Sequence, residues 1–308
     1  MVGKYGVFVT RVPKFTEACK YPVTAGVATL AVVITMAWWA KLDVSPLFAT
    51  AEIRRGQLWR LITCIFPHLD ILHLAFDVYW LLVFGTTVEK VYGHTRTALL
   101  ILLFAVGSSS LDFAFDRGGV GLSGVGYGLF GLLFVLSKSD ARFRDALDQR
   151  TITLFVGWFI LCIATTVTRI FPVANVAHGA GAILGVLTGH ALSLPNRRIP
   201  LVAGVTAVVL FGIWGATMGR PIINLSGKVG YEEGKWGYDA LIAGQNEQAI
   251  RWLSDASRLR PKESTYWFDL GIAYYRIGKL PAAMAAYKRA LELDPGNSEY
   301  SRALQTTN

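Results

Sequence analysis

The chain has 308 residues, of which 53% are hydrophobic and 17% charged, and its mean hydropathy is +0.42. Neither a collagen repeat nor sustained heptads occur, and the apolar fraction is too high for a disordered chain, so the composition indicates a membrane protein. Nearly all of the net charge of +9 lies within residues 1–226, which hold 19 Lys and Arg against 11 Asp and Glu, and this pattern is typical of loops at a membrane surface rather than of a nucleic-acid-binding patch.

Seven stretches are long and apolar enough to predict transmembrane helices, because a bilayer core needs about 20 such residues per helix. They lie roughly at residues 23–40, 70–88, 97–115, 120–137, 151–169, 176–194 and 200–218. With the N-terminus inside, 12 Lys and Arg flank the cytoplasmic side and 8 flank the other, which favours a cytoplasmic segment over residues 1–22 and a C-terminus outside. We therefore expect an all-α, polytopic membrane domain over residues 23–219.

The functional argument rests on four polar side chains inside these predicted spans, where an unpaired polar group costs a few kcal/mol. His73 and Asp77 lie in the second span, Ser123 in the fourth and His178 in the sixth. In the predicted orientation all three spans begin at the outer surface, and each polar residue lies within about two turns of the start of its span. The pattern therefore predicts that these groups meet at one membrane depth.

Small residues surround Ser123 and His178. After His178, glycines recur at four-residue steps, at Gly181, Gly185 and Gly189. Such steps let two helix backbones approach closely, as a direct Ser–His hydrogen bond between helices requires. Ser123 is then a candidate nucleophile and His178 its general base. Tyr127 lies one turn after Ser123 on the same helix face, where its ring can pack against an imidazole.

Two motifs and three shorter matches follow one another in order along the chain. Gly-x-Ser-Gly occurs at residues 121–124 and Ala-His-x-x-Gly-x-x-x-Gly at residues 177–185. The shorter matches are Trp59-Arg60, His68-x4-His73, and Val88-Glu89-Lys90 followed by Gly93. Over about residues 50–195 the sequence thereby resembles the rhomboid intramembrane serine proteases.

The resemblance implies roles for several residues. It makes Ser123 and His178 a catalytic dyad without an acid, and it makes His68 structural. His73 and the backbone N–H of Ser123 are implied to stabilise the oxyanion, with Gly124 completing the serine motif.

Asp77 stands where the family has an asparagine that donates to the oxyanion. An ionised carboxylate would repel a developing oxyanion, whereas a carboxyl group kept protonated by burial could still donate. A third arrangement pairs Asp77 with a protonated His73 at i,i+4. Because losing one oxyanion donor can cost about 10²–10³ in rate, the sequence is compatible with a slow enzyme.

Three further residues of the resemblance are expected to be structural. Trp59 and Arg60 are expected to anchor the first loop at the membrane interface, and Glu89 to fix a helix end. No His-Glu-x-x-His occurs, so an intramembrane metalloprotease is not favoured and no metal or other cofactor is expected.

The last part of the chain, residues 229–308, has the composition of a soluble domain and contains a repeat. The tetratricopeptide consensus is matched by Trp267, Leu270, Gly271, Tyr274, Ala283, Tyr287, Ala290 and Pro295. Earlier residues match in the same register 34 positions upstream, at Gly237, Ala249, Ala256 and Pro261. We expect two helical hairpins and a capping helix from Ser298 onward, forming a site for a peptide or protein partner or a spacer.

Together these features predict a multi-pass protein of the plasma or inner membrane with an extracytoplasmic repeat module. The first hypothesis is an intramembrane serine endopeptidase that cleaves transmembrane protein substrates near the outer leaflet. The alternative is a weak or inactive relative that binds transmembrane helices without cutting them, which Asp77 keeps open. The partners expected are a transmembrane substrate and the lipid bilayer, and no nucleic acid.

Overall fold

The computed structural model describes residues 20–170 and 173–307. Within these ranges the regular structure consists of helices without strands, which confirms the all-α prediction. A first compact unit ends at Ile223 and a second begins at Asn224. The predicted cytoplasmic segment, residues 1–22, lies outside the described residues up to position 19.

The described α-helices of the first unit are numbered in chain order. They are α1 (Pro22–Trp39), α2 (Arg60–Thr63), α3 (Ile71–Phe115), α4 (Ser123–Ser139), α5 (Gln149–Val167), α6 (Asn175–Ser193), α7 (Arg198–Ala216) and α8 (Arg220–Ile223). By length and composition, five described helices can cross a membrane: α1, α3, α5, α6, and α7 with the turn that leads into it. Helix α4 has 17 residues, the lower end of the usual range for a span.

Helix α3 covers two of the predicted spans, which the sequence separates by a loop. Its 45 residues form two helical parts, residues 71–92 and 94–115, which correspond to the second and third predicted spans. The helix is interrupted at Gly93, where φ is 77° and ψ 175°. This left-handed φ is unfavourable for residues with a Cβ, so glycine suits the sharp kink between the two parts. Just beyond it, the Thr97 hydroxyl donates to the Gly93 carbonyl at 2.8 Å.

Aspartate side chains cap the N-terminal ends of two of these helices, where the first N–H groups lack intrahelical acceptors. Asp70 accepts from the N–H groups of Leu72 and His73 at the start of α3, both at 2.9 Å. Asp148 accepts from Thr151 at the start of α5 at 2.8 Å. The cap of Asp70 fixes the turn from which His73 projects.

Helix α4 lies in the middle of the first unit, packed against α3 and α6. Leu129, Leu132 and Leu133 are fully buried, and Phe84 and Phe104 of α3 are buried with them. Helix α5 buries only a few of its residues and exposes much of its apolar surface. The packing therefore places the first residue of α4 inside the protein, close to the start of α6.

The second unit consists of paired helices, as the repeat pattern predicts. They are α9 (Tyr231–Ile242), α10 (Asn246–Leu259), α11 (Ser264–Arg276), α12 (Leu280–Leu293) and α13 (Ser298–Thr307). A side chain at Gly271 would collide with the ring of Tyr287, so this consensus glycine lets α11 and α12 pack closely. Helix α13 starts at the expected Ser298, and its Tyr300 packs on Phe268 at 4.5 Å between ring centroids.

One partly buried carboxyl group makes the stability of this unit depend on pH. Burial, and secondly the negative charge of Glu299, raise the pKa of Asp269 to about 6 from its ordinary 3.8. Between these two values the folded state binds more protons than the unfolded state, so stability falls as pH rises through 6. At pH 8 we expect Asp269→Asn to stabilise the unit by about 1 kcal/mol after allowance for solvent screening, and at pH 3.5 to have no such effect.

Hydrogen exchange of α11 and α13 in the full-length protein, comparing variant and wild type at each pH, measures this effect. Asp239→Asn is the control, because Asp239 is exposed and pairs with Lys235 at 2.8 Å. Equal protection of Asp269→Asn and wild type at pH 8 would contradict the prediction.

Candidate active site

Ser123 and His178 lie side by side although 55 positions separate them in the chain. Ser123 is the first residue of α4, and His178 lies in the first turn of α6. The Nε2 of His178 is 2.9 Å from the Oγ of Ser123, a hydrogen-bond distance. His178 is buried, at 4% exposure, so the pair is shielded from bulk solvent on the histidine side. An imidazole nitrogen placed in this way can accept the hydroxyl proton when Ser123 attacks a carbonyl.

Glycines make this close approach of α4 and α6 sterically feasible. A Cβ on Gly181 would collide with the backbone oxygen of Gly124, and a Cβ on Gly185 with that of Gly128. The helix backbones are thus in direct contact at two successive turns, as small residues at four-residue steps allow. Gly124, predicted as part of the serine motif, also lies against the hydroxyl of Ser108, which leaves no room for a side chain.

The ring of Tyr127 orients the imidazole of His178. The two rings are stacked, with centroids 4.7 Å apart and planes 27° apart. The Tyr127 hydroxyl donates to the carbonyl of Phe155 on α5 at 3.1 Å, which fixes the ring in turn. Among the residues described by the structure, none makes a hydrogen bond to Nδ1 of His178. In a serine triad an acid orients the histidine through a hydrogen bond to Nδ1. Here the stacked ring of Tyr127 orients the imidazole instead.

A second group of polar side chains lies beside the residues that precede Ser123. Asp77 Oδ2 is 3.2 Å from Nε2 of His68 and 3.4 Å from Nε2 of His73. Nε2 of His68 also accepts from the N–H of Leu122 at 3.3 Å, and a Cβ on Gly121 would meet the ring of His73 at 2.6 Å. The cluster thus borders the turn that leads into Ser123.

The Nδ1 side of His68 anchors this cluster to the rest of the fold. Nδ1 lies 2.9 Å from the carbonyl oxygen of Phe66 and 3.3 Å from Oγ1 of Thr35 on α1. A carbonyl oxygen only accepts, so Nδ1 carries the proton and the lone pair of Nε2 faces Asp77 and Leu122. His68 is fully buried and links α1 and α3 to the turn before Ser123.

Three residues predicted to be structural lie away from the Ser–His pair. Trp59 is exposed beside α2. Arg60 is turned inward, and its guanidinium donates to the carbonyl oxygens of Ser45 and Phe48 at 2.8 and 3.0 Å. This contact braces the first loop from within, since a guanidinium can satisfy several carbonyls at once.

Glu89 caps the start of α1 rather than an end of its own helix. Its carboxylate accepts from the N–H groups of Val23 and Thr24 at 3.0 and 2.9 Å and from the Thr24 hydroxyl at 2.7 Å. It also contacts Nδ1 of His94 at 2.6 Å.

A small cavity beside Ser123 brings in residues that sequence reasoning did not single out. Its volume is about 20 Å³, enough for about one water molecule. The polar side chains and the thiol that line it are those of Cys64, Ser108, Ser109, Asp112 and Ser123. Asp112 accepts from the N–H of Ala177, the residue before His178, at 3.2 Å and so holds the start of α6. An aspartate inside the apolar stretch 97–115 was the signal that would have identified it.

Comparison with known protein families supplies the identification. The family model of the rhomboid domain matches residues 55–195, the range that contains Ser123, His178 and the histidine–aspartate cluster. Residues 55–195 are a rhomboid domain. A tetratricopeptide repeat model matches residues 235–298, which confirms the repeats of the second unit.

Curated relatives of the rhomboid domain occur in bacteria and in a plant. The chain is 27% identical over 267 residues to rhomboid protease GluP of Bacillus subtilis. This alignment covers 82% of this chain and 49% of that protein. It is 29% identical over 156 residues to RHOMBOID-like protein 1 of Arabidopsis thaliana, covering 51% of this chain and 39% of that one. For rhomboid protease GlpG of Haemophilus influenzae the identity is 28% over 148 residues, and the alignment covers 45% of this chain and 71% of that protein. The chain thus spans about half the length of the Bacillus relative and less of the Arabidopsis one.

Proposed function

We propose that the protein is an intramembrane serine endopeptidase that cleaves transmembrane protein substrates near the outer leaflet. The observation that carries this proposal is the 2.9 Å contact between Nε2 of His178 and Oγ of Ser123 inside a rhomboid domain. A partly buried serine whose hydroxyl meets an imidazole between two helices has the parts required for acyl transfer.

In the proposed reaction, Ser123 Oγ attacks the scissile carbonyl carbon while Nε2 of His178 accepts the hydroxyl proton. The tetrahedral intermediate collapses as the C–N bond breaks, and His178 returns the proton to the leaving amine. Water then attacks the acyl-enzyme, giving its proton to His178, and Ser123 is released with its proton restored. The cavity lined by Ser109 and Asp112 offers a place for this water next to Ser123.

The oxyanion of the intermediate would be stabilised from the side of the histidine–aspartate cluster. The backbone N–H of Ser123 and the ring of His73 are the donors in this proposal. Asp77 contributes a hydrogen bond only while it carries a proton; when ionised it places a negative charge next to a developing one. The Oδ2 of Asp77 lies 3.2 Å from Nε2 of His68 and 3.4 Å from Nε2 of His73, so the carboxyl group is held between the two imidazoles.

The orientation and the repeat module complete the proposal. With the N-terminus in the cytoplasm, the first turns of α3, α4 and α6 lie at the outer face, so the scissile bond enters there. The tetratricopeptide unit would then be extracytoplasmic and would recruit or position a protein substrate. The charge bias of the loops supports this orientation.

Cleavage of transmembrane substrates in proteoliposomes tests the proposal. A panel of single-span substrates is incubated with wild type, Ser123→Ala and Ser139→Ala. Ser139 lies at the other end of α4, where its hydroxyl bonds the Val135 carbonyl at 2.9 Å, so it is a matched control on the same helix. We expect cleavage by wild type and Ser139→Ala and its loss in Ser123→Ala. Cleavage that persists in Ser123→Ala would refute the proposed mechanism.

A second candidate function is binding of transmembrane helices without cleavage. The observation that favours it is the carboxylate of Asp77 at the proposed oxyanion site. A protein of this kind would capture substrates equally well with Ser123 or alanine at position 123 and would release no fragments. Crosslinking of the same substrate panel in the same proteoliposomes therefore separates the two functions.

The activity should respond to replacement of Asp77 by asparagine. The amide of Asp77→Asn donates a hydrogen bond regardless of protonation and carries no charge, so we expect cleavage to become about tenfold faster or more, given that one oxyanion donor contributes about 10²–10³ in rate. Initial rates on one substrate measure the effect. Asp145→Asn, which changes an exposed loop carboxylate, is the control and should leave the rate unchanged. A slower Asp77→Asn enzyme would mean that the carboxylate itself takes part in the reaction.

A further inference from the structure

The side chains of His68, His73 and Asp77 form a compact set of nitrogen and oxygen donors. Their three nearest donor atoms all lie within 4.8 Å of one another, with 3.2 Å from Asp77 Oδ2 to His68 Nε2 and 3.4 Å to His73 Nε2. Ligands about 2.1 Å from a tetrahedral ion stand about 3.4 Å apart, so these separations match two edges of a zinc coordination shell. Two imidazoles and one carboxylate are also a donor set that divalent transition metals prefer.

The surroundings of the set orient its lone pairs inward. Nδ1 of His68 faces the carbonyl oxygen of Phe66 at 2.9 Å, so its Nε2 is left with the lone pair that a metal needs. Metal-binding histidines almost always donate their other ring N–H in this way to a carbonyl or carboxylate. His73 and Asp77 lie four residues apart on α3 and project from the same helix face. A bound ion would replace the 3.3 Å hydrogen bond from Leu122 N–H to His68 Nε2.

One side of the set is open to entry. The side chain of His73 is 26% exposed, whereas those of His68 and Asp77 are 0% and 4% exposed. An ion can therefore reach the buried donors past His73, leaving a fourth position for water or substrate, as in zinc sites with three protein ligands.

The charge of the set comes from Asp77. An ionised Asp77 gives the three donors a net charge of −1, whereas the asparagine expected from the rhomboid resemblance would give a neutral set with only a weak amide-oxygen ligand. Carboxylates bind divalent ions far more readily than amides at a histidine site. The replacement that hinders the oxyanion therefore completes a metal ligand set.

We propose that His68, His73 and Asp77 bind a divalent transition metal ion such as Zn²⁺, and that the bound ion inhibits the protease. The ion occupies the nitrogen of His73 that would otherwise donate to the oxyanion and displaces the hydrogen bond that positions the turn before Ser123. The inhibition rests on the proposed proteolytic function, whereas the binding site itself does not.

Binding is tested with Co²⁺, whose visible absorption reports coordination by nitrogen and oxygen ligands. Ser123→Ala protein in nanodiscs, purified without a histidine tag, is titrated with Co²⁺. We expect one ion per chain, and a Kd at least about tenfold higher when Asp77→Asn is added to the same background. His94→Ala is the matched control, since His94 and Glu89 form another histidine–carboxylate pair, 2.6 Å apart, and it should leave the Kd unchanged.

Inhibition is tested on the wild type with a substrate that it cleaves. Zn²⁺ should stop cleavage, EDTA should restore it, and Asp77→Asn should resist Zn²⁺ while remaining folded by circular dichroism. Absence of Co²⁺ absorption, an unchanged Kd in Asp77→Asn, or loss of binding in His94→Ala would overturn the site, and binding without inhibition would overturn its regulatory role. Co²⁺ binding as expected in a protein that cleaves no substrate would instead refute the protease and leave the site standing.

Discussion

Replacing His178 by alanine should lower the rate of substrate cleavage by at least about 10³-fold. Loss of the general base from a serine protease has an effect of this size, because the serine hydroxyl is then a poor nucleophile at neutral pH and the leaving amine receives no proton. In this protein Nε2 of His178 is the nitrogen within hydrogen-bond distance of Ser123 Oγ, at 2.9 Å. Single-turnover cleavage in proteoliposomes measures the effect independently of product release.

The matched control for this prediction is His190→Ala. His190 lies on the same helix, α6, three turns further along and near its C-terminal end. It should keep the wild-type rate within about twofold, because a substitution away from the site changes little. If His178→Ala kept more than a tenth of the wild-type rate, His178 would not be the general base.

Replacing Gly185 by alanine should destabilise the membrane domain by about 1–3 kcal/mol and reduce cleavage with it. A Cβ at this position would meet the backbone oxygen of Gly128 and, at 2.8 Å, the backbone nitrogen of Leu132. These are backbone atoms, so a helix as a whole must shift, and His178 on α6 would move away from Ser123 on α4. Because proton transfer needs the two side chains at hydrogen-bond distance, we expect a rate loss beyond the loss of folded protein.

Unfolding in mixed micelles, together with the cleavage rate per folded molecule, measures both effects. Gly157→Ala on α5 is the control, since a Cβ there would meet nothing within 4 Å. Its stability should equal or exceed that of the wild type, because alanine is the better helix former. Equal stability of Gly185→Ala and Gly157→Ala would mean that α4 and α6 do not pack through their glycines.

The sequence predicted the helical class, most of the spans and the repeat unit because these features depend on local patterns. Apolar stretches of bilayer length are recognisable residue by residue, and the 34-residue spacing from Pro261 to Pro295 is periodic. The glycine steps after His178 likewise indicated a close helix pair. The predicted second and third spans lie on the two parts of α3, on either side of the kink at Gly93.

The sequence also singled out Ser123, His178, His68, His73 and Asp77, from their rarity in apolar spans and from their order along the chain. It did not single out Asp112, although an aspartate in the apolar stretch 97–115 was a usable signal. The contact of Asp112 with Ala177, 65 positions away, required the tertiary structure.

By itself, then, the sequence determined the class of protein, the identity of the candidate nucleophile and base, and the presence of Asp77 where the rhomboid resemblance implies an asparagine. Only the tertiary structure decided that Glu89 caps α1, that Arg60 points inward and that two histidines share the carboxylate of Asp77. Hydropathy and helical periodicity are properties of neighbouring residues, whereas these contacts depend on how α1, α3, α4 and α6 pack. That packing follows from the steric fit of many residues at once, which no single stretch of the chain contains.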